Sequence, residues 1–331
     1  MSWAEVKYIL DNAKGGGLVP NKLASLVAID GLLIWAANNT VVENQTVCEV
    51  GKIVFRYSED SAPATPSDGT LLFETTDLSG TYSYTLDEDT YISGFVYSSQ
   101  GVLSGNAVST QATSPRGFAN DSWGTIKAVS EMGTASQHYS VGDEKTVSIN
   151  GTNYTLVVMD FAHDDLTDGS GKAGMTIGLK NCLTTTHAMN SSNTNAGGWE
   201  SCEMRSWLQS TVLGWLPEDL QAVIKKVNKK ATAGSQSSTI TTSVDNLFLL
   251  AEIEIFGSTS YGSANEGTQY SYFTTTSRRV KKSGDSGSAT TWWGRSPGVG
   301  NSTYFCRVYS DGSAYASSAS TTYGVSFGFC I

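Results

Sequence analysis

Residues 305–316, Phe-Cys-Arg-Val-Tyr-Ser-Asp-Gly-Ser-Ala-Tyr-Ala, constrain the fold of this chain more than any other stretch. Small or apolar side chains at Cys306, Val308, Ala314 and Ala316 alternate with larger polar ones at Arg307, Tyr309, Ser313 and Tyr315. That is the period of strands with one covered face. Asp311-Gly312 marks the turn between them. A two-residue loop would send Tyr309 and Tyr315 to opposite faces. A three-residue loop, Ser310-Asp311-Gly312, with Gly312 in the left-handed region, returns them to the same face. The pattern predicts a hairpin with a small apolar face turned inward and an aromatic, polar face turned outward.

The wider segment, residues 292–331, sets Trp, Gly and Phe around positions filled by Tyr, Ser, Thr, Asp, Asn and Arg. After Arg295 it contains no Lys, Glu, Gln, Met or Trp, although Lys and Glu are ordinary elsewhere in the chain. Asn codons randomised only at their adenines cannot produce those five residues, whereas they yield Tyr, Ser, Thr, Asp, Ala, Gly, Arg and Asn. The side chains that remain suit recognition. Tyr offers a rigid amphipathic surface at low rotamer cost, and Ser, Gly and Asn adapt their hydrogen bonding.

Trp292-Trp293-x-Arg295-Ser296-Pro297-Gly298, the Gly/Asn/Ser/Tyr-rich run after it, and the close at Gly324-Val325 resemble the variable region of diversity-generating retroelement target proteins. The subgroup they resemble is built on a domain of unknown function common in gut phages and bacteria. Two upstream segments carry the same likeness: Trp199-Glu200 with Arg205-x-Trp207-Leu208, and Asp245-x-Leu247-Phe248-Leu249-Leu250-x-Glu252. Gly294 stands where the subgroup usually has Leu, and Ser326-Phe327-Gly328-Phe329-Cys330 replaces its common Arg-Pro-Ala ending. The resemblance implies a fold similar to C-type lectins and formylglycine-generating enzymes, with the variable residues on a ligand-binding face. It covers about the last 200 residues and leaves the first hundred unassigned.

Length leaves room for two or three domains, at 331 residues. Only 16% of residues are charged, against the usual quarter or so. With abundant Gly, Ser and Thr, that suits a β-rich extracellular or virion protein. A formal charge of −10 argues against nucleic acid or an anionic membrane as partner. Lys225, Lys226, Lys229 and Lys230 read as cations at a helix end, where they complement the dipole. Cys48, Cys182, Cys202, Cys306 and Cys330 are scattered, with no CxxC pair, and read as free buried thiols. The start, Met1-Ser2-Trp3-Ala4-Glu5, lacks a signal peptide's basic and apolar regions. Residues 23–37 are too short for a membrane helix and contain Asp30.

The chain is expected to be α+β: a C-type-lectin-like domain preceded by a small immunoglobulin-like β-sandwich and a short N-terminal helix. Residues 1–38 form the helix and an attachment or oligomerisation segment. The helix spans 2–13, capped by Ser2 with Glu5 in the capping-box position, and an apolar segment, 18–37, follows. Residues 39–114 form the sandwich, a spacer. Its strands are expected at 53–57, 69–74, 80–86 and 91–97, between turns rich in Pro, Asp, Gly and Ser. A linker near 111–117 leads to the domain 115–331, whose variable region is 292–331. Asn150-Gly151 predicts a tight hairpin, which opens the domain in the similar family. Helices are expected at 199–213, with Met204, Trp207, Leu208 and Val212 near one side, and from Pro217 through Val227.

No residue set reads as catalytic. The formylglycine-generating likeness needs a cysteine pair for copper, and Cys306 and Cys330 lack the short spacing that would supply it. His138, His163 and His187 stand isolated. Asp160, Asp164, Asp165 and Asp168 are the best metal candidates, but their spacing matches no EF-hand loop and reads as a solvated acidic loop. No cofactor and no metal is expected.

Trp292, Trp293 and Arg295 read as frame, with Arg295 pairing a buried carboxylate or carbonyls of the variable loops. The expected ligand surface is Tyr304, Arg307, Tyr309, Asp311, Ser313, Tyr315, Ser317, Ser318, Ser320, Thr321 and Tyr323, anchored by Tyr and Arg. The expected function is a receptor-binding protein at a phage or prophage tail tip. Its partners would be other tail proteins and a protein or glycan ligand on a bacterial cell, and many copies or a homotrimer would supply avidity. The alternatives are a bacterial surface adhesin with the same domain and an oxidase of the formylglycine-generating type.

Overall fold

The computed structural model describes residues 19–331 except 30, 43–44, 88 and 114–115. The helix expected at 2–13 lies outside the described residues. The chain is β-rich with a few short helices, an α+β arrangement, and divides into two compact units, 1–115 and 116–331. Among the described residues, no helix is long and apolar enough to cross a membrane.

The first unit is a seven-stranded sheet. Its order is Thr70–Thr75, Val50–Ser58, Tyr91–Ser98, Val108–Thr113, Ser25–Ile29, Leu32–Ala36 and Ser79–Ser83. Neighbours are antiparallel except Val108–Thr113 with Ser25–Ile29. Leu33 and Trp35 are buried between half-buried neighbours, as strand alternation requires. Trp35 and Phe55 stand on strands four places apart, about 19 Å if the sheet were flat. Their rings lie 5.3 Å apart, so the sheet folds over onto itself and closes a core around Trp35, Phe55, Phe73 and Tyr82. This unit extends back across position 38. Part of the apolar segment 18–37, expected to serve attachment, supplies two strands of the sheet.

The second unit is built on a five-stranded antiparallel sheet. Its order is Glu144–Ile149, Thr152–Phe161, Met175–Leu179, Phe327–Cys330 and Phe248–Leu249. Every residue of Met175–Leu179 and Phe327–Cys330 is buried, so neither strand alternates with exposed polar positions. Asn150 and Gly151 take positive φ of 48° and 77° in the predicted two-residue turn. A helix, Trp123–Glu131, precedes that hairpin and is capped by Ser122, whose hydroxyl accepts from the Thr125 N–H.

Two helix expectations are corrected. Residues 199–213 do not form one helix: Cys202 is extended and separates Gly198–Ser201 from Glu203–Trp207, after which the coil widens and then tightens. The apolar stripe survives the break, because Met204, Leu208 and Val212 remain fully buried. After Pro217 only Glu218–Gln221 is helical, and Val227–Thr232 is a strand paired with Ile240–Asp245. The lysine run is therefore not a helix end. Lys225 pairs with Glu131, while Lys229 is buried in the strand.

Candidate ligand-binding face

Trp292–Pro297, Tyr304–Val308 and Ala314–Ser318 form a three-stranded sheet. Arg307 faces Tyr315 and Val308 faces Ala314 across the last two strands, and the Tyr309 N–H donates to the Ser313 carbonyl at 2.8 Å. The loop is thus the three-residue one, with Gly312 at φ 87° donating to the Tyr309 carbonyl. A Cβ on Gly312 would meet the Thr276 carbonyl at 3.0 Å and its methyl at 3.1 Å, so only glycine lets the tip sit down on Thr276 and Val280. The Asp311 carboxylate accepts from the Ser313 N–H and hydroxyl and is turned onto its own loop.

On the outer side, Arg307 is the centre. Its guanidinium carbon lies 5.1 Å from the ring centres of Tyr315 and Tyr323 and 5.3 Å from that of Tyr309. Its Nε donates to the Ser317 hydroxyl at 2.6 Å. Tyr309 and Tyr315 are 44% and 46% exposed, while Cys306 and Val308 on the reverse side are buried. The structure thus brings Arg307, Tyr309, Tyr315, Ser317 and Tyr323 together, with Asp311 and Ser313 at the tip. Tyr304 and Ser318 face each other across the strands with the parity of Cys306 and Ala316, so they leave on the opposite side. Ser320 and Thr321 lie on the turn closed by the Thr321 N–H to the Ser318 carbonyl.

One residue of this face lay outside the expected segment. The Tyr261 ring stands 6.5 Å from that of Tyr315, within 18° of parallel. Its loop is fixed by the buried Glu252 carboxylate, which accepts from the N–H groups of Ser260, Tyr261 and Gly262 at 3.1, 2.9 and 2.6 Å. No sequence spacing relates Tyr261 to Tyr315. The only available signal was the isolated aromatic in the glycine- and serine-rich run 257–263.

Beneath the face, the motif residues hold one another. Asp245 accepts from Trp199 Nε1 at 2.8 Å and from Arg205 Nε, which ties the two upstream segments together. Arg295 is fully buried and uses all five N–H groups: two on Glu254, and one each on the carbonyls of Lys230, Leu249 and Glu266. The expected buried carboxylate is present, but those carbonyls belong to the frame and not to the variable loops. Trp292 and Trp293 donate to the carbonyls of Arg279 and His187. Gly294 has its own reason: a Cβ there would meet the Leu250 carbonyl at 3.0 Å.

Lys229 extends this network, donating to Glu254 at 2.8 Å, to Asp164 at 2.6 Å and to the Tyr270 hydroxyl at 2.9 Å. Burial favours the neutral acids, but Arg295 and Lys229 hold Glu254 below the ordinary range, and Lys229 with His163 holds Asp164 well below it. Glu266 has weaker company, a hydroxyl and one N–H, and burial pushes it up to about 7. A cleft of about 260 Å³ opens beside these groups, lined among others by His163, Lys172, Asn265 and Glu266.

The acidic loop is not uniformly solvated. Asp164 belongs to the buried network, Asp160 caps the Ser271 N–H, Asp165 pairs with Lys172, and Asp168 binds Ser170. None of the five cysteines is in a disulfide, and all are buried. The Cys306 thiol lies against Glu252 and the Cys330 thiol against Thr176 and Asp164, and burial raises both well above the ordinary range. Among proteins already described, no curated sequence and no solved structure matches the chain. Residues 174–331, which hold this face and most of its supporting frame, match the family described as a domain of unknown function, DUF6273.

Proposed function

We propose that this chain is a receptor-binding protein whose outer hairpin face, centred on Arg307, binds a ligand on a bacterial cell. In this reading the second unit is a C-type-lectin-like domain of the diversity-generating retroelement kind. The first unit is an immunoglobulin-like spacer, and the setting is a phage or prophage tail tip. One observation carries the reading. An arginine and four tyrosines, counting Tyr261, gather on the open side of a hairpin whose other side is anchored in the frame. A frame that fixes itself through Asp245, Glu252 and Arg295 leaves the outward side chains free to differ without unfolding the domain.

The test is binding to a panel of bacterial cells by the wild-type chain and by a variant with Tyr309, Tyr315 and Tyr323 changed to Ser. Binding lost with an unchanged melt supports the site. Unchanged binding refutes it.

A further inference from the structure

Two arginines twelve residues apart in this segment, Arg295 and Arg307, are used in opposite ways. Arg295 has an acceptor for every N–H. Arg307 has one, the Ser317 hydroxyl; among the described residues neither Nη1 nor Nη2 has an acceptor or a carboxylate partner, and Nη1 is buried. A covered cationic N–H without an acceptor is an unfavourable state in a folded protein, and the surrounding rings offset only part of it. The one acid of the hairpin, Asp311, is occupied by Ser313. What is missing at this point is a negative oxygen pair.

We propose that Arg307 makes this face selective for a carboxylate on the ligand, received by Nη1 and Nη2 between the rings of Tyr309, Tyr315 and Tyr323. The proposal rests on the reading of this face as the ligand site. The planar guanidinium fork matches a carboxylate through two parallel hydrogen bonds, which a lysine does not reproduce. Tyr309 and Tyr315 are the exposed rings, so they are the ones that turn aside to admit the group. Rigid tyrosines around one arginine are the side chains that anchor protein–protein interfaces. The carboxylate is accordingly assigned to an acidic side chain of a polypeptide.

The experiment measures binding of the full chain to immobilised poly-L-glutamate, with poly-L-glutamine and polygalacturonate as comparison surfaces. The net charge of −10 repels polyanions at long range, so retention requires a local site. The expected result is binding to polyglutamate alone, weakened about tenfold or more by Arg307→Gln and only partly restored by Arg307→Lys. Equal binding to polyglutamine, or no effect of Arg307→Gln, overturns the proposal. Preference for polygalacturonate overturns the polypeptide source. A second measurement needs no variant: the Arg307 Nε resonance of the wild-type chain is followed on titration with sodium acetate and with sodium chloride. A saturable shift with acetate alone supports the proposal, and the same response to both salts overturns it. On cells, binding lost in the tyrosine variant but kept in Arg307→Gln retains the face and removes the carboxylate. Binding kept in both removes the site itself.

Discussion

Replacing Arg295 by Met tests whether the frame and the face are separable. Methionine keeps much of the stem volume but removes five hydrogen bonds. The carbonyls of Lys230, Leu249 and Glu266, the last two in buried bonds, lose this donor. The Glu254 carboxylate keeps Lys229 and the Ala251 N–H but loses its two-pronged partner. Removing one member of a buried ion pair costs about 3–5 kcal/mol. For a unit spanning residues 116–331, each kcal/mol moves the melting temperature by roughly 2–4 °C, so the expected fall is roughly 6–20 °C. Tyr309→Ser, on the exposed side, should stay within about 0.5 kcal/mol, a degree or two. The assay is thermal unfolding of the full chain followed by tryptophan fluorescence, since Trp292 and Trp293 are buried beside Arg295. The double variant Arg295→Met, Glu254→Leu should melt above Arg295→Met alone, because Lys229 keeps Asp164 and no unpaired carboxylate remains. Comparable losses in Arg295→Met and Tyr309→Ser would refute the separation of frame from face.

Glu266 gives a pH signature. Its folded value of about 7 stands above the ordinary 4.5, so the folded state holds a proton that the unfolded chain has released. Stability should fall as pH rises from about 4.5 to about 7, by about 3 kcal/mol in all, and Glu266→Gln should flatten that slope in denaturant titrations. Asp164 and Glu254 act in the opposite sense, adding stability above the ordinary carboxylate range that is lost on acidification. Gly312→Ala should destabilise by about 1–2 kcal/mol from the left-handed backbone alone, and more from contact with Thr276, as read by the same melts. Glu252→Gln weakens three N–H contacts at the Tyr261 loop, and a cost of about 1–3 kcal/mol is expected, with faster hydrogen exchange at residues 260–262.

What the sequence disclosed depended on the range of the forces involved. The hairpin tip was readable down to its loop length, because alternation and the Asp-Gly pair are local and act within ten residues. The Asn150-Gly151 turn was readable for the same reason. The lysine run failed because Leu220, Val223, Ile224 and Val227 imitate a helical period, while the strand beginning at Val227 is decided by pairing with residues 240–245. Nothing near Lys229 announces that its partners are Asp164 and Glu254. Tyr261 was missed in the same way, since its place beside Tyr315 is set by a carboxylate nine residues upstream. Tyr304 was assigned to the face by composition, and one step of strand parity sends it elsewhere.

The strand Phe327–Cys330 lies between Met175–Leu179 and Phe248–Leu249, each drawn from far upstream. On a ribosome, the middle strand of this sheet emerges after both of its neighbours. Until it arrives, two strands wait without their shared neighbour. Assembly is therefore governed by contacts of long sequence separation, which close slowly. A chain stopped short of that strand leaves the buried strands Met175–Leu179 and Phe248–Leu249 without the neighbour they share.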